Sequence, residues 1–273
     1  MRLVAYEGGV GVRRDGGVAA VSGYSTLNAL IADGERGLDA ARAALENGEP
    51  IQPGRLLAPL RPPKVLCAGV NYRSHMEENP DAVLPSEPFF FSKLPTAVIG
   101  PGEPIVIPRE ETQTDYEVEL TMVIGRRAKR LDADSALDAV FGWTILDDVS
   151  ARDVQFKENQ LTLGKGPDTF CPLGPEVVTA DEIGDWSTLH VSTTVNGETM
   201  QSSPASEMIF PPPVLLEFLT ALVTLEPGDV VSTGTPSGVG CFRHPPVYLK
   251  PGDEVTVSVD RIGDLTNPVV AGW

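Results

Sequence analysis

Histidine and cysteine are scarce in this sequence, and long apolar runs are missing. The 273 residues include three histidines and three cysteines, and Cys67, Cys171 and Cys241 are widely spaced and form no CxxC pair. An odd number of scattered cysteines does not fit a disulfide framework and indicates a reducing compartment. No segment approaches the roughly 20 apolar residues of a membrane span, and Met1 leads directly into strand-like sequence without an export signal. We therefore predict a cytoplasmic protein that is not embedded in a membrane.

Positive charge is also in short supply. Lysine and arginine number 21 against 38 aspartates and glutamates, which gives a formal net charge of −17. A chain this acidic is repelled by phosphate backbones and by anionic membrane surfaces. Nucleic acid and membrane partners are excluded on this basis, whereas small molecules and other proteins remain.

Two regions differ in their pattern. Residues 1–60 predict a small α+β unit with short strands and a helix over GLDAARAALENG, followed by the proline-rich connector QPGRLLAPLRPP. Residues 64–273 consist mostly of strand-like segments separated by Gly and Pro turns, so the fold class is mainly β with some α. Helices are expected over SARDVQFKEN and PPVLLEFLTAL, where an apolar stripe is expected to face the core: Leu215, Phe218, Leu219 and Leu222.

The stretch TDYEVEL contains two glutamates one residue apart in a strand-like run. Side chains alternate faces along a strand, so Glu117 and Glu119 point together, about 6.6 Å apart. Tyr116, Val118 and Leu120 point the other way. The glutamate face is therefore either solvated or in contact with something positive.

A second acidic pair ends the apolar strand in GWTILDDVSARD. Alternation predicts that only one of Asp147 and Asp148 faces inward, and the simplest alternative is that Asp148 or Ser150 caps the following helix. Three converging carboxylates would repel one another unless they shared a cation. An all-oxygen set suits Mg²⁺ first, with Mn²⁺ or Ca²⁺ possible.

The three histidines have different contexts. His190 alternates within a strand and is expected to be structural, and His244 lies in a turn. His75 follows an apolar strand, with Glu78 three residues later. On a helical turn these two side chains share a face, so the carboxylate could orient the imidazole as a water-activating base. A surface His/Glu neighbour pair is the alternative.

These segments together resemble the fumarylacetoacetate hydrolase family over Lys64 to the C-terminus. The resemblance is carried by GVNYRSHMEE, PFFFSK, DYEVEL, LDDVSARDVQ, LGKG, VNGE, MIF, GDVVSTGTPSGVG and LKPGDEV followed by IGDLTNPVV. It implies a mixed β-sandwich or β-roll fold, usually a homodimer, of the bacterial branch that handles 2-keto and diketo acids.

The resemblance also implies roles for individual residues. Metal ligands would be Glu117, Glu119 and Asp148. Catalytic residues would be His75, Glu78 and Lys165. Substrate-binding residues would be Arg152, Gln155, Thr235 and Lys93. Two alternatives stay open, namely that Arg152 pairs with a neighbour on its own helix and that Thr235 only shapes a Gly-rich turn. The segment from Arg73 to Glu87 would be a lid that orders over the substrate.

The expected function is metal-dependent hydrolysis of a C–C bond in an acylpyruvate or related 2,4-diketo acid, through a pyruvate enolate that the metal stabilises. Alternatives on the same site are an oxaloacetate-type decarboxylase and a 2-hydroxy-diene-dioate isomerase or tautomerase. An inactive relative that binds small acids is a further alternative. Nucleotide binding is disfavoured because GGVGVRR lacks the last glycine of GxGxxG and LGKG lacks the Walker spacing, and a cupin-like oxygenase would need a histidine-rich site.

Overall fold

The computed structural model describes residues 1–78, 83–109, 112–157 and 160–272. The strands are β1 (Arg2–Tyr6), β2 (Gly9–Arg14), β3 (Gly17–Ala20), β4 (Pro50–Ile51), β5 (Leu56–Leu57), β6 (Val65–Gly69), β7 (Phe89–Lys93), β8 (Val98–Ile99), β9 (Ile105–Ile107), β10 (Thr114–Asp115), β11 (Val118–Ile124), β12 (Val140–Asp147), β13 (Ser150–Ala151), β14 (Cys171–Thr179), β15 (His190–Val195), β16 (Glu198–Pro204), β17 (Val230–Ser232), β18 (Glu254–Val259) and β19 (Gly263–Ala271).

The helices are short, apart from two. They are α1 (Leu27–Ala32), α2 (Glu35–Asn47), α3 (Arg73–Glu77), α4 (Ala133–Ala136), α5 (Arg152–Gln155), α6 (Thr162–Lys165), α7 (Ala180–Ile183) and α8 (Pro212–Leu222). Single 3₁₀ turns lie at Pro95–Ala97, Leu137–Ala139, Trp186–Thr188, Ala205–Glu207 and Gly240–Phe242. The expected mainly β fold with some helix is confirmed. Within the described ranges, no helix has the length and apolar content needed to cross a membrane.

One large sheet includes strands from both of the predicted units, residues 1–60 and residues 64–273. Its order is β4-β3-β2-β1-β14-β12-β11-β17-β6-β7, with β5 paired to β1 and β8 to β14. Strand β1 pairs antiparallel with β14, placing Arg2 opposite Val178. The first 60 residues therefore extend the sheet that carries the later strands. The division into a unit of residues 1–60 and a domain of residues 64–273 stays a prediction.

A second sheet covers part of the first. Its order is β16-β15-β18-β19-β9. Its alternating inward residues, among them Val191 and Val257, share a buried apolar cluster with Leu120 and Ile145 of the large sheet. Alternation from Tyr116 into β11 places Tyr116, Val118 and Leu120 in this core, as the sequence predicts. The opposite side of the same segment is thereby left for the two glutamates.

Strand register brings the acidic residues together. In the antiparallel pair β11–β12, Val118 lies opposite Asp147. One step beyond, the Asp148 N–H donates to the Glu117 carbonyl oxygen at 2.9 Å. Strand β17 flanks β11 on its other side with Ser232 opposite Thr121. Residues that are 29 to 115 positions apart in the chain thus meet at one end of adjacent strands.

Helix predictions are only partly met. The helix expected over residues 150–159 is reduced to α5, preceded by the short strand β13, and residues 158–159 lie outside the described residues. Helix α8 matches its prediction, with Leu215 and Leu219 buried. Leu222, which the apolar stripe assigned to the core, is 84% exposed. Leu222 is exposed because it lies in the last turn of the helix, which extends beyond the core.

The shared sheet predicts that the two regions unfold together. Leu3 is fully buried in an apolar cluster that also contains Val123, Leu173 and Val230. We expect Leu3→Ala to lower the free energy of unfolding by about 2–5 kcal/mol, because the cavity it leaves is enclosed. We also expect a single cooperative transition in denaturant titrations followed by far-UV circular dichroism and tryptophan fluorescence.

Leu222→Ala is the matched control, since an exposed side chain contributes about 0.5 kcal/mol or less. Two separate transitions, of which Leu3→Ala shifts only the first, would show instead that residues 1–60 fold as an independent unit.

Candidate metal and active site

Three buried carboxylates meet at the end of strands β11 and β12. One oxygen each from Glu117, Glu119 and Asp148 lies within 4.8 Å of the others. The exposed fractions are 5%, 1% and 0%, so the interpretation of Glu117 and Glu119 as a solvated face is wrong. Helix capping is also wrong for this segment, because the residue before α5 is Ala151 and it makes no side-chain cap.

Two lysines lie against this cluster. The Lys165 ammonium donates to Glu117 Oε2 at 2.8 Å and to Asp148 Oδ2 at 2.7 Å. Lys93 donates to the other oxygen of Asp148 at 2.5 Å and to the Val149 carbonyl oxygen at 3.0 Å. Lys165 also lies 5.1 Å from the centroid of the Phe91 ring, within cation–π distance. Asp148 is therefore held between two ammonium groups.

An arginine completes the positive side of the cluster. Arg152 donates from Nε to Asp115 Oδ2 at 2.8 Å and from Nη2 to Glu117 Oε1 at 2.5 Å. Its remaining nitrogen donates to Gln155 Oε1 at 3.0 Å. Asp115 in turn accepts the backbone N–H groups of Gly240 and Cys241. Arg152 thus pairs with carboxylates outside its own helix, and the interpretation as a partner of its own helix is incomplete.

The cluster contains more negative than positive charge. Four carboxylates, those of Asp115, Glu117, Glu119 and Asp148, face the three cations Lys93, Arg152 and Lys165. None of these cations forms an ion pair with Glu119 within the described part of the chain. Among these four described carboxylates, Glu119 is therefore the one that lacks a cationic partner.

The pKa values of the two glutamates diverge accordingly. Burial opposes ionisation of Glu117, yet Lys165 and Arg152 outweigh it and lower its pKa to about 2. Burial, followed by the negative charges of Asp148 and Glu117, raises the pKa of Glu119 well above its ordinary value. Without a further cation, Glu119 is driven toward its neutral form.

Neutral donors still hold Glu119 in place. The hydroxyl of Ser232 donates a short hydrogen bond to Oε2, and the backbone N–H of Gly234 donates to the same oxygen at 3.1 Å. Gly234 has a φ of +89°, and a Cβ there would lie 2.8 Å from the Cβ of Asn71. Glycine is required for this approach.

A divalent cation fits this arrangement. The donor set is made of oxygen alone, it is buried, and it lacks positive charge at Glu119. Hard cations such as Mg²⁺ prefer such carboxylate oxygens, and a zinc site would use histidine or cysteine. With a dication added and Glu119 ionised, the cluster would change from one net negative charge to one net positive charge, which suits an anionic ligand.

Asp147 departs from the sequence-based expectation. Alternation predicted that only one of Asp147 and Asp148 faces inward, but both are buried. Asp147 Oδ1 accepts the Glu117 N–H at 2.9 Å, whereas its Oδ2 has no hydrogen-bond partner among the described residues. Burial above all raises the pKa of this carboxyl to about 7. Asp147 supports the backbone behind the ligand cluster.

His75 and Glu78 form the predicted pair on α3 and the residue that follows it. Nδ1 of the imidazole lies 2.6 Å from Glu78 Oε2. The other oxygen of Glu78 accepts the Gly238 N–H at 2.7 Å, so the carboxylate is fixed from both sides. A carboxylate can only accept, which places a hydrogen on Nδ1, so in the neutral imidazole Nε2 is the nitrogen with the lone pair.

A small cavity of about 80 Å³ adjoins both groups. Its polar lining consists of His75, Glu117, Glu119, Arg152, Gln155, Lys165 and Thr235. Its apolar lining includes Val70, Phe89, Phe91 and Leu161. Among the predicted site residues, Glu78, Asp148 and Lys93 do not line the described cavity. Lys93 contacts Asp148 and offsets its charge. Its role in substrate binding stays a prediction.

The lid expected over Arg73 to Glu87 is partly outside the described residues. Arg73–Glu77 form helix α3, and residues 79–82 are not described. The closing movement of this segment therefore stays a prediction.

Comparison with known proteins agrees with this geometry. The family model "Fumarylacetoacetate (FAA) hydrolase C-terminal" matches residues 64–270. The chain belongs to the fumarylacetoacetate hydrolase family. This confirms the resemblance carried by DYEVEL, LDDVSARDVQ and the other quoted segments, and it assigns the chain to a family of enzymes.

Three similar proteins have different named activities. The mitochondrial oxaloacetate tautomerase FAHD2A of Bos taurus is 42% identical, with 99% of this chain and 92% of the relative covered. The fumarylacetoacetate hydrolase of Exiguobacterium antarcticum has a TM-score of 0.90 at 37% identity, covering 99% of both chains. Maleylpyruvate hydrolase of Sphingobium sp. SYK-6 has a TM-score of 0.85 at 30% identity, covering 100% of both chains.

Sequence reasoning missed several residues that shape the site. Asp115 pairs with Arg152, Ser232 donates to Glu119, and the buried Gln201 contacts Thr235. Only the polar character of Asp115 beside DYEVEL offers a local signal. Ser232 reaches the site through the pairing of β17 with β11, and Gln201 reaches it through a side-chain hydrogen bond to Val118. Both residues lie more than 80 positions from their partners in the chain, and no local pattern reveals such contacts.

The two glutamates are expected to respond oppositely to neutralisation in metal-free protein. In EDTA at pH 7, Glu117→Gln should lower the free energy of unfolding by about 3–5 kcal/mol, because Lys165 and Arg152 lose a buried partner. Glu119→Gln should leave the melting temperature unchanged or raise it, because it mimics the neutral form that the site already favours. Differential scanning calorimetry measures both.

Excess Mg²⁺ supplies the second half of this test. The unchanged protein should gain about 2.7 kcal/mol at 100 times the dissociation constant, and Glu119→Gln should gain much less. If the unchanged protein and Glu119→Gln gain equally, Glu119 is not a ligand.

Proposed function

We propose that this enzyme interconverts the enol and keto forms of a small 2-keto dicarboxylic acid of the oxaloacetate type. The observation that carries the proposal is that His75, which Glu78 holds in place, lines the same small cavity as Glu117 and Glu119, two of the three clustered carboxylates. The similarity to oxaloacetate tautomerase FAHD2A over 99% of this chain supports the choice of reaction.

Substrate binding follows from the charges that line the cavity. Glu117, Glu119 and Asp148 would hold Mg²⁺, with Mn²⁺ or Ca²⁺ as alternatives. Bound there, the cation would supply Lewis acidity toward the oxygens of a 2-keto acid. Arg152 and Gln155 lie on the cavity wall, where their nitrogens can hydrogen-bond to a substrate carboxylate.

The imidazole of His75 would transfer the proton. Glu78 keeps the hydrogen on Nδ1, so Nε2 is the atom that can take a proton from the carbon next to the ketone and return it to the 2-oxygen. Glu78 also stabilises the imidazolium that exists between these two steps. The proton count is unchanged over the cycle, as an isomerisation requires.

Lys165 is suited to stabilise negative charge on the 2-oxygen. Two of its N–H groups bind Glu117 and Asp148, and these carboxylates keep its pKa raised despite burial, so the ammonium stays charged. Lys165 lines the cavity, so its third N–H would donate to a ligand bound there. Donors fixed before the reaction lower the energy of a developing oxyanion without reorganisation.

Hydrolysis of an acylpyruvate is the second candidate. The same His75–Glu78 pair can take a proton from water, and the hydroxide formed would attack the distal carbonyl of a 2,4-diketo acid and release a carboxylic acid and pyruvate. The similarity to maleylpyruvate hydrolase supports this reading. The homodimer, the cytoplasmic location and the residue roles given above are part of the same proposal.

A substrate panel discriminates among these reactions. Oxaloacetate, acetylpyruvate and fumarylpyruvate would each be supplied with Mg²⁺, Mn²⁺ or EDTA. We expect accelerated loss of the oxaloacetate enol absorbance above the spontaneous rate, and its suppression by EDTA, because Glu119 is left without a cation. Pyruvate detection reports hydrolysis or decarboxylation in parallel.

Each outcome of the panel has one meaning. Pyruvate formed from acylpyruvates but no tautomerisation would favour the hydrolase, and pyruvate from oxaloacetate would favour a decarboxylase. Turnover that is insensitive to EDTA would exclude the metal-dependent mechanism. No turnover of any substrate would favour the inactive relative that binds small acids.

Replacement of the base is expected to separate catalysis from binding. His75→Asn keeps an amide near Nδ1 but removes the base, so we expect kcat to fall by about 100-fold or more with little change in Mg²⁺ affinity. His190→Asn, in a strand of the second sheet, is the control and should retain kcat. Full turnover by His75→Asn would refute the assigned role.

A further inference from the structure

The buried amide of Gln201 connects the second sheet to the cavity. Gln201 lies on β16 opposite Thr193 and is 1% exposed. Its Nε2 donates to Thr235 Oγ1 and to the Pro236 carbonyl oxygen, both at 2.8 Å. Its Oε1 accepts the Val118 N–H at 3.1 Å and the Thr193 hydroxyl at 2.8 Å. All four bonds are satisfied inside the protein.

These partners fix the orientation of the amide. The Val118 N–H can only donate and the Pro236 carbonyl can only accept, so the oxygen and nitrogen of Gln201 cannot exchange places. Thr235 must then accept a hydrogen bond from Gln201. Its own hydroxyl hydrogen has no acceptor among the described residues, and Thr235 lines the cavity.

We propose that Gln201 is a positioning residue that sets the Thr235 hydroxyl as a donor toward a carboxylate of the bound keto acid. The inference rests on the proposed function, because it needs an anionic substrate in this cavity. A hydroxyl that is free to rotate could donate elsewhere. When the Gln201 amide donates to the Thr235 oxygen from the protein side, the hydroxyl hydrogen is directed toward the ligand. Gln201 itself touches no substrate.

The hydrogen bond from Val118 is a second contact between Gln201 and the site. Val118 lies between the two glutamates, so the same amide holds the backbone of the ligand strand and the Thr235 loop at a fixed separation. If Gln201 had a purely structural role, that role would rest on the Val118 contact alone. Replacing Gln201 would then change stability and metal affinity, and recognition of the substrate carboxylate would be unaffected.

The test measures binding of oxalate to the Mg²⁺-loaded protein by titration calorimetry, with KM and kcat for the active keto acid. Gln201→Glu places an acceptor where Thr235 now meets a donor, so the hydroxyl turns back toward residue 201. Gln201→Met removes the donor without adding charge and decides the question if Gln201→Glu does not fold. We expect oxalate binding to weaken about tenfold in Gln201→Glu and Thr235→Val, and about threefold or more in Gln201→Met.

A double-variant cycle distinguishes positioning from general damage. Because Gln201 acts through Thr235, Gln201→Glu should add little to Thr235→Val, and KM should rise while kcat changes by less than about threefold. Thr193→Val is the matched control, since it removes another bond to Gln201 but leaves the Thr235 contact. It should lower the melting temperature and leave oxalate affinity within about twofold.

The outcomes separate the two proposals. Unchanged oxalate affinity in both Gln201 variants, or effects of Gln201 and Thr235 that multiply in the double variant, would overturn the role of Gln201. Oxalate binding without turnover of any keto acid would overturn the proposed function alone, and the same affinity comparison would still decide the role of Gln201. No binding of oxalate by the unchanged protein would overturn both.

Discussion

A shortage of positive charge in a buried cluster is the constraint on which this structure depends. Lys93, Arg152 and Lys165 pair with Asp115, Glu117 and Asp148, and Glu119 is left with neutral donors only. Burying an unpaired carboxylate is unfavourable, so the site either protonates Glu119 or takes up a cation. Uptake of a dication would also make the cavity net positive and favourable for anions, which would link the proposed metal to the proposed substrate class.

The fold makes this arrangement possible by fixing strand register. Pairing of β11 with β12 and β17 sets Glu117 beside Asp148 and Glu119 beside Ser232, while the core-facing alternation on the same strand anchors the backbone. Gln201 adds a contact from the second sheet. The His75–Glu78 pair lies on and just after a separate short helix, so the proposed proton transfer and the proposed metal binding rest on different elements, which is consistent with the several reactions named among the relatives.

Local patterns predicted much of the fold and of the carboxylate set. Period-two alternation placed Tyr116, Val118 and Leu120 in the core, and the three-residue spacing of His75 and Glu78 predicted their contact. Alternation failed at Asp147 and Asp148, because the backbone leaves the strand there and buries both. The apolar stripe of α8 failed at Leu222, because a period does not reveal where the core ends. Long-range partners such as Ser232 carry no local signal.

The most direct test is a crystal structure of the protein grown with Mn²⁺ and recorded for anomalous scattering. The account predicts one strong anomalous peak within about 2.0–2.3 Å of oxygens from Glu117, Glu119 and Asp148, as expected for a hard divalent ion. It also predicts that the peak disappears in crystals of Glu119→Gln. An empty cluster in excess Mn²⁺, with the Glu119 carboxyl still held by Ser232 and Gly234 alone, would contradict the central claim.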